Sequence, residues 1–286
     1  MSAVFHSVNG QVTPHSETVI SPFDTGLLRG FGAFDYCQVY KGVPFHLEDH
    51  IDRLCISAQQ IDLDLPYTKE QIYEFALDLV DVNEPIDAGL RLVLTGGISS
   101  DTIYPDGTPN LIILFQPFKG YPSEYYSQGM RVVSTDTLRY LSHVKTTNYL
   151  PAVTALKKAR AQNAHDIVYL DSEGKILEGS TCNVFFIKDG VLHTSDSNQI
   201  VRGVTRNVVL ELAQDLMPVE YSSFRVDELS ACEEAFLCSS MKDLIPLVQV
   251  DSMLVGNGNP GRKTLDLRKA FRTHVEKYVL QIGAVK

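Results

Sequence analysis

Lys145, Glu178 and the run Gly203-Val204-Thr205 are the residues of this 286-residue chain whose types and order could do chemistry together. A lysine amine becomes a Schiff-base nucleophile only where its pKa is lowered or its carbonyl partner is held in place. Lys145 lies in Arg139-Tyr-Leu-Ser-His-Val-Lys145-Thr-Thr-Asn148-Tyr149, an apolar-to-neutral stretch between a strand and a helix expected to start near Thr147 or Asn148. That junction can be partly buried and still open. Taken alone, the residue reads as a surface lysine before a helix. Glu178 opens the run Glu178-Gly-Ser-Thr-Cys-Asn-Val-Phe-Phe-Ile187 and reads as the start of a central strand carrying Val184, Phe185, Phe186 and Ile187. A buried carboxylate needs a partner. A pyridine nitrogen is a suitable one, since an ionised glutamate keeps it protonated and the ring then draws electrons. An ordinary salt bridge or an exposed hairpin position would explain Glu178 equally well.

An anion site completes the set. Gly203-Val204-Thr205 precedes Val208-Val209-Leu-Glu-Leu212, so its backbone amides stand at a helix N-terminus, where anions bind. Thr205 adds a hydroxyl, Arg53 on an earlier helix could add a forked cation, and Ser240 of Ser239-Ser240 a further hydroxyl. Each of these also has a capping or surface explanation. An amine, a carboxylate and an anion site are together the parts needed to hold pyridoxal 5'-phosphate, which points to an enzyme.

The elements that must position these residues follow from pattern. Phe34–Tyr40 alternates as a strand and ends at the Lys41-Gly42 turn. Leu47–Ile61 has the apolar spacing of an amphipathic helix, Lys69–Val80 reads as a second helix, and Leu90–Thr95 and Asn110–Phe115 as buried strands. Pro117-Phe-Lys-Gly-Tyr-Pro shifts to linker composition. The domain expectation is therefore 1–118 for an N-terminal α+β domain, 119–126 for a linker and 127–286 for a C-terminal cofactor-binding domain. Beyond the linker come a strand at Met130, a helix over Tyr149–Gln162 with Pro151 tolerated in its first turn, and a strand over Asp166–Leu170. Hairpin turns at Glu173-Gly174 and Asp189-Gly190 bracket the strand of Glu178, and helices over Val204–Leu216 and Leu265–Leu280 complete the order. The fold class is α/β (α+β) in two domains.

Composition limits the alternatives. Apolar residues make up 44% and charged residues 21%, as in ordinary globular proteins. The net charge of −10 with no basic run argues against nucleic acid as a partner, though a few local cations can still hold a small anion. The N-terminus has neither the basic nor the apolar region of a signal peptide, and no apolar run reaches membrane-spanning length. Five scattered cysteines with no Cys-x-x-Cys pair read as free thiols in a cytoplasmic protein without a metal framework. Two strings are decoys. Gly256-x-Gly258-x-x-Gly261 has too little chain after it for a dinucleotide-binding unit, and His46-x-x-x-His50 with Glu48 and Asp49 reads as a helix start rather than a metal site.

The chain resembles the class IV (fold type IV) pyridoxal-phosphate enzymes, which include branched-chain and D-amino-acid aminotransferases and aminodeoxychorismate lyases. The matching stretches are Gly30-Phe-Gly-Ala-Phe-Asp35, His50-Ile-Asp-Arg53, Lys145-Thr-Thr-Asn-Tyr149, Glu178-Gly-Ser-Thr-Cys-Asn183, Gly203-Val-Thr-Arg206, Cys238-Ser-Ser240 and Gly256-Asn-Gly-Asn-Pro-Gly261. They cover nearly the whole chain in the family's order. The resemblance implies a homodimer with a cofactor site at the domain interface and partner loops completing it. It implies Lys145 as the catalytic amine and proton shuttle, Glu178 on the pyridine nitrogen, Tyr149 on the ring hydroxyl, and Arg53, Val204, Thr205 and Ser240 on the phosphate.

Substrate assignment is less specific. The D-amino-acid branch has an Arg-x-His pair where this chain reads Gly96-Gly-Ile-Ser-Ser-Asp101. The branched-chain branch has a glycine and an arginine near the positions held here by Tyr36, Cys37 and Gln38. Arg29, reaching from the partner subunit, or Arg91 is the expected carboxylate anchor, with Phe34 and Tyr36 narrowing the side-chain pocket. Structural ion pairs are the plainer explanation of both arginines. The expected function is transamination between a D-amino acid or branched-chain amino acid and a 2-oxo acid, Arg29 tilting the reading toward D-substrates. The alternatives are a pyruvate-eliminating lyase and a catalytically silent cofactor-binding protein.

Overall fold

A computed structural model describes residues 4–283. The chain divides into two compact units: residues 1–119, 144–148 and 277–286 form unit 1, and residues 120–143 and 149–276 form unit 2.

Unit 1 is an antiparallel sheet with helices on one face. Its elements are β1 (Phe5–Val8), β2 (Gln11–Pro14), α1 (Thr25–Arg29), β3 (Gly32–Tyr40), β4 (Val43–Pro44), α2 (Leu47–Gln59), α3 (Lys69–Val82), β5 (Ala88–Thr95) and β6 (Asn110–Pro117). The strand order is β2-β1-β6-β5-β3-β4. Lys41 and Gly42 both take positive φ, as a two-residue hairpin between β3 and β4 requires. Helix α2 begins at Leu47 with Glu48 and Asp49 in its first turn, where the helix dipole favours acids. Helix α3 starts at a reciprocal capping box between Thr68 and Gln71. Leu47, Ile51, Leu54 and Ala58 of α2 and Ile72, Ala76 and Leu79 of α3 share one core with Ala33, Cys37, Leu90, Leu92 and Ile113 of the sheet. The opposite face of β3 presents Phe34 and Tyr36, because successive strand side chains alternate.

The segment 144–148 counts with unit 1 for a local reason. Short β4 pairs only with Val39 and Tyr40, which leaves the start of β3 an open edge. The Phe34 N–H donates to Lys145 O and the Thr147 N–H to Gly32 O, each at 2.9 Å, with Ala33 opposite Thr146. This bridging holds residues 145–147 extended. The following helix, expected from Thr147 or Asn148, therefore starts only at Leu150.

Unit 2 contains α4 (Ser123–Ser127), β7 (Met130–Thr135), α5 (Leu150–Ala161), β8 (Asp166–Leu170), β9 (Ile176–Gly179), β10 (Asn183–Lys188), β11 (Val191–Thr194), α6 (Val204–Ala213), β12 (Val219–Tyr221), β13 (Glu234–Ser239), β14 (Asp243–Val250), β15 (Met253–Leu254) and most of α7 (Arg262–Gly283). The order is β12-β11-β10-β13-β14-β7-β8-β9, and β9 also pairs with β10, so six strands close into a ring. Phe186, Val184, Leu237, Ile245, Val132 and Val168 are among its core residues. Here one expectation is corrected: Glu178 does not open the strand of Val184–Ile187. It belongs to β9, and residues 180–182 turn the chain before β10, so that Glu178 faces Asn183 across an antiparallel pair. The turn is held by Gly179 N–H to Cys182 O at 2.7 Å and by Ser180 Oγ on Asp166. The stretch expected as a linker contains α4, one short helix. No helix among the described residues is long and apolar enough to cross a membrane.

Candidate functional site

The candidate residues fall into two groups, one in each unit. In unit 1 the Lys145 amine stands 4.6 Å from the centroid of the Phe34 ring. Arg91 on β5 lies over the same ring at 5.5 Å and over Tyr36 at 5.4 Å. Lys145 is half-buried, and among the described residues no carboxylate lies within ion-pair distance of its amine. A lysine on an aromatic face with no acid beside it still needs a carbonyl partner held in place to act as a nucleophile. Tyr36 has its room because residue 89, across the β3–β5 ladder, is glycine: a Cβ there would stand 1.9 Å from the Tyr36 hydroxyl. Arg29 is elsewhere, exposed on α1, donating to Leu28 O at 3.0 Å and reaching Thr102 Oγ1 at 3.5 Å. It does not join the group around Lys145.

Arg53 does have fork geometry, and the fork closes on Asp35. Its Nε and Nη2 donate to the two carboxylate oxygens at 2.7 and 2.8 Å. Asp35 is fully buried and also accepts from the His50 Nδ1–H at 2.7 Å. Burial alone would raise the Asp35 carboxyl, but Arg53 and His50 hold it well below the usual carboxylate range. His50 is pushed below the ordinary histidine value, by burial first, with Asp35 pulling the other way. The i, i+3 spacing of His50 and Arg53 on α2 puts both on the face toward Asp35. That spacing is the available signal for a pairing that motif matching does not draw. His46 bonds Asp49 at 2.8 Å, and no group that could hold a metal occurs among the described residues.

In unit 2, Glu178 is 5% exposed. Its Oε2 accepts from the Val201 N–H at 3.0 Å, and its Oε1 from Arg139 Nη2 at 3.3 Å. Arg139 also donates to Ser142 O at 2.6 Å and lies 5.2 Å from the centroid of Tyr149. Sequence reading passes over Arg139: a single arginine six residues before a lysine carries no pattern. Tyr169 on β8 belongs to this neighbourhood too. It is 2% exposed, its hydroxyl has no hydrogen-bond partner among the described residues, and burial pushes it up to about 12.

Helix α6 begins at Val204 with Gly203 as N-cap and no side-chain cap, so its first-turn N–H groups lack intrahelical partners. Thr205 and Val204 are buried there. Residue 203 must be glycine because a Cβ would meet Asn183 Oδ1 at 2.3 Å, and Asn183 in turn donates to Val201 O at 2.8 Å, fixing the approach to the helix. Arg206 in the same turn is 2% exposed; it donates to Ser195 O at 2.9 Å, while its Nε has no partner among the described residues. Ser240 follows β13, half-buried.

The family model described as amino-transferase class IV matches residues 32–250. A Methanocaldococcus jannaschii protein assigned as a branched-chain-amino-acid aminotransferase is 31% identical over 284 residues, covering 96% of this chain and 98% of that one. The D-alanine aminotransferase of Staphylococcus aureus (strain COL) is 30% identical over 278 residues, 95% of this chain and 98% of its own. Among solved structures, the branched-chain aminotransferase of the thermophilic archaeon Thermoproteus uzoniensis, determined with norvaline, superposes with a TM-score of 0.87 at 28% identity. That match covers 97% of this chain and 98% of that one.

Proposed function

The chain belongs to the class IV amino-transferase family, and we propose that it moves an amino group between an amino acid and a 2-oxo acid with pyridoxal 5'-phosphate, using Lys145 as its reactive amine. The observation that carries this is the Lys145 amine held on Phe34 with no acidic partner among the described residues. The residues fit the cofactor. The first turn of α6 offers uncapped N–H groups for a phosphate, and Arg206 Nε and the Tyr169 hydroxyl are buried donors without partners among the described residues. Glu178, buried beside Arg139, is suited to a protonated pyridine nitrogen.

When bound, the cofactor supplies a carbonyl that takes up the amino group and a ring that draws electrons from the substrate Cα. The chain does the rest. Lys145 would hold the cofactor at its carbonyl carbon and would serve as the base that moves the proton of the substrate Cα. Glu178 keeps the pyridine nitrogen protonated, and Tyr149 bonds the ring hydroxyl. Val204, Thr205 and Ser240 hold the phosphate. Arg53, forked onto Asp35, is the further phosphate candidate that the family resemblance implies.

The substrate carboxylate meets Arg91, which shares the Phe34 ring with Lys145, and Phe34 and Tyr36 bound the side-chain space. Arg29 is the second candidate, as a residue contributed by a partner subunit in a homodimer. The enzyme works in the cytoplasm on free amino acids and 2-oxo acids, of either the D-alanine or the branched-chain kind.

A coupled assay tests the reading. Keto-acid formation should require a 2-oxo-acid acceptor and fall at least a thousandfold in Lys145→Ala. Pyruvate released without an acceptor would replace transamination with elimination. In the same assay Arg91→Ala should raise KM at least tenfold; unchanged KM in both Arg91→Ala and Arg29→Ala would remove both as carboxylate anchors.

A further inference from the structure

Unit 2 buries a lysine and an aspartate that no step above uses. Lys242 and Asp166 are each 3% exposed, with Nζ and Oδ2 3.2 Å apart. The same ammonium donates to Thr181 Oγ1 at 3.1 Å and lies 5.4 Å from the centroid of Tyr121. Asp166 Oδ1 accepts from Ser180 Oγ and from the Ile167 N–H. Burial alone would lower the Lys242 ammonium, but Cys182 and Asp166 hold it above the ordinary lysine range. The Cys182 thiol is itself pushed up to about 12 by burial.

Desolvation offsets most of the attraction in a buried ion pair, and apolar residues of similar volume often serve stability as well or better. What this pair fixes is more informative than what it stabilises. It joins three segments: the first residue of β8, the 180–182 turn between β9 and β10, and the turn between β13 and β14. Glu178 stands two residues before Ser180, and Ser240 two before Lys242. The Lys242 N–H also donates to Ser239 O at 3.0 Å and Ser239 Oγ at 3.2 Å, which spends Ser239 inside the turn and leaves Ser240 for a ligand.

We propose that Lys242 and Asp166 are positioning residues for the cofactor: the pair clamps the turn bearing Ser240 to the turn that follows Glu178, fixing the phosphate-side hydroxyl relative to the pyridine-side carboxylate. This rests on the cofactor assignment above. The clamp acts through the backbone of both turns, so its loss shows in cofactor affinity and in the pH midpoint of the cofactor's visible band, over and above any loss of stability.

The test uses the holoenzyme and three variants, Lys242→Met, Asp166→Asn and the double Lys242→Met/Asp166→Leu, each measured for unfolding midpoint, cofactor dissociation constant and pH midpoint of the visible band. Lys242→Met strands a buried carboxylate and should lose stability. The double variant should regain the wild-type unfolding midpoint yet bind pyridoxal phosphate at least tenfold more weakly, with a displaced pH midpoint. A double variant with wild-type stability, affinity and midpoint would overturn the proposal, since the pair would then merely fill the core. If the double variant does not fold, Asp166→Asn decides, because it keeps the shape and drops the charge; wild-type affinity and midpoint there overturn the proposal equally. A wild-type protein that takes up no cofactor would remove the cofactor assignment and this proposal with it.

Discussion

Around Lys145 the chemistry depends on aromatic side chains set by their neighbours. Phe34 meets both Lys145 and Arg91, while Tyr36 lies where residue 89 has no Cβ. Gly89→Ala must therefore move the Tyr36 ring. We expect a folded protein, less stable by about 1–3 kcal/mol through overpacking, whose KM for bulky amino acids shifts at least threefold; steady-state kinetics across a side-chain series reads this, and unchanged KM throughout would place Tyr36 away from the substrate. Asp35 is the stabilising counterpart. Asp35→Ala leaves Arg53 and His50 facing an empty acceptor, and urea unfolding should register a loss of about 3–5 kcal/mol, the usual result of removing one partner from a buried pair. Lys145, Glu178 and the Gly203-Val204-Thr205 run stood out in the sequence as candidates through their types and order taken together. Arg139, Tyr169 and Lys242 did not: Arg139 takes its meaning from Glu178, 39 positions away, Lys242 from Thr181, 61 positions away, and the Tyr169 hydroxyl from having no partner among the described residues.

Helix α2 carries the clearest pH dependence among the elements. His50 is buried with its pKa below the ordinary value of about 6.5. The unfolded chain thus takes up a proton before the folded one, and stability is full above that pH and falls as the pH drops beneath it. His6, pushed down first by its own burial and then by His15, adds in the same direction. Asp35 runs on a lower window: its depressed carboxyl contributes fully above the ordinary aspartate value of about 3.9 and is lost only as pH falls further. Unfolding midpoints taken between pH 8 and 4 should decline below about 6.5, and His50→Gln should shallow that decline; an unchanged slope would mean that His50 titrates alike in the folded and unfolded chain. Periodicity found α2 and α3 because their apolar stripes are local. It placed α5 within a residue at each end, while the expected start near Thr147 or Asn148 and the unbroken strand from Glu178 both failed against bonds made elsewhere: Thr147 to Gly32 and Ser180 to Asp166.

For the whole molecule, each unit closes its own core, the helix-backed antiparallel sheet of unit 1 and the ringed strands of unit 2. Sequence composition foresaw a two-domain α/β chain, but not that residues 144–148 leave their sequence neighbours to join unit 1. That excursion puts Lys145 on the edge of β3, beside Phe34. An acidic chain of net charge −10 can still receive an anionic cofactor, because the donors are local: backbone N–H groups at a helix start and a few hydroxyls. Everything proposed for this chain turns on Lys145 holding pyridoxal phosphate and giving it up to an amino acid. The most direct measurement is the visible spectrum of the purified protein, before and after adding single D- and L-amino acids, beside Lys145→Ala. The expected result is a yellow band that one enantiomeric series bleaches within the mixing time and that Lys145→Ala lacks. No band after cofactor addition, with Lys145→Ala indistinguishable from wild type, would contradict it.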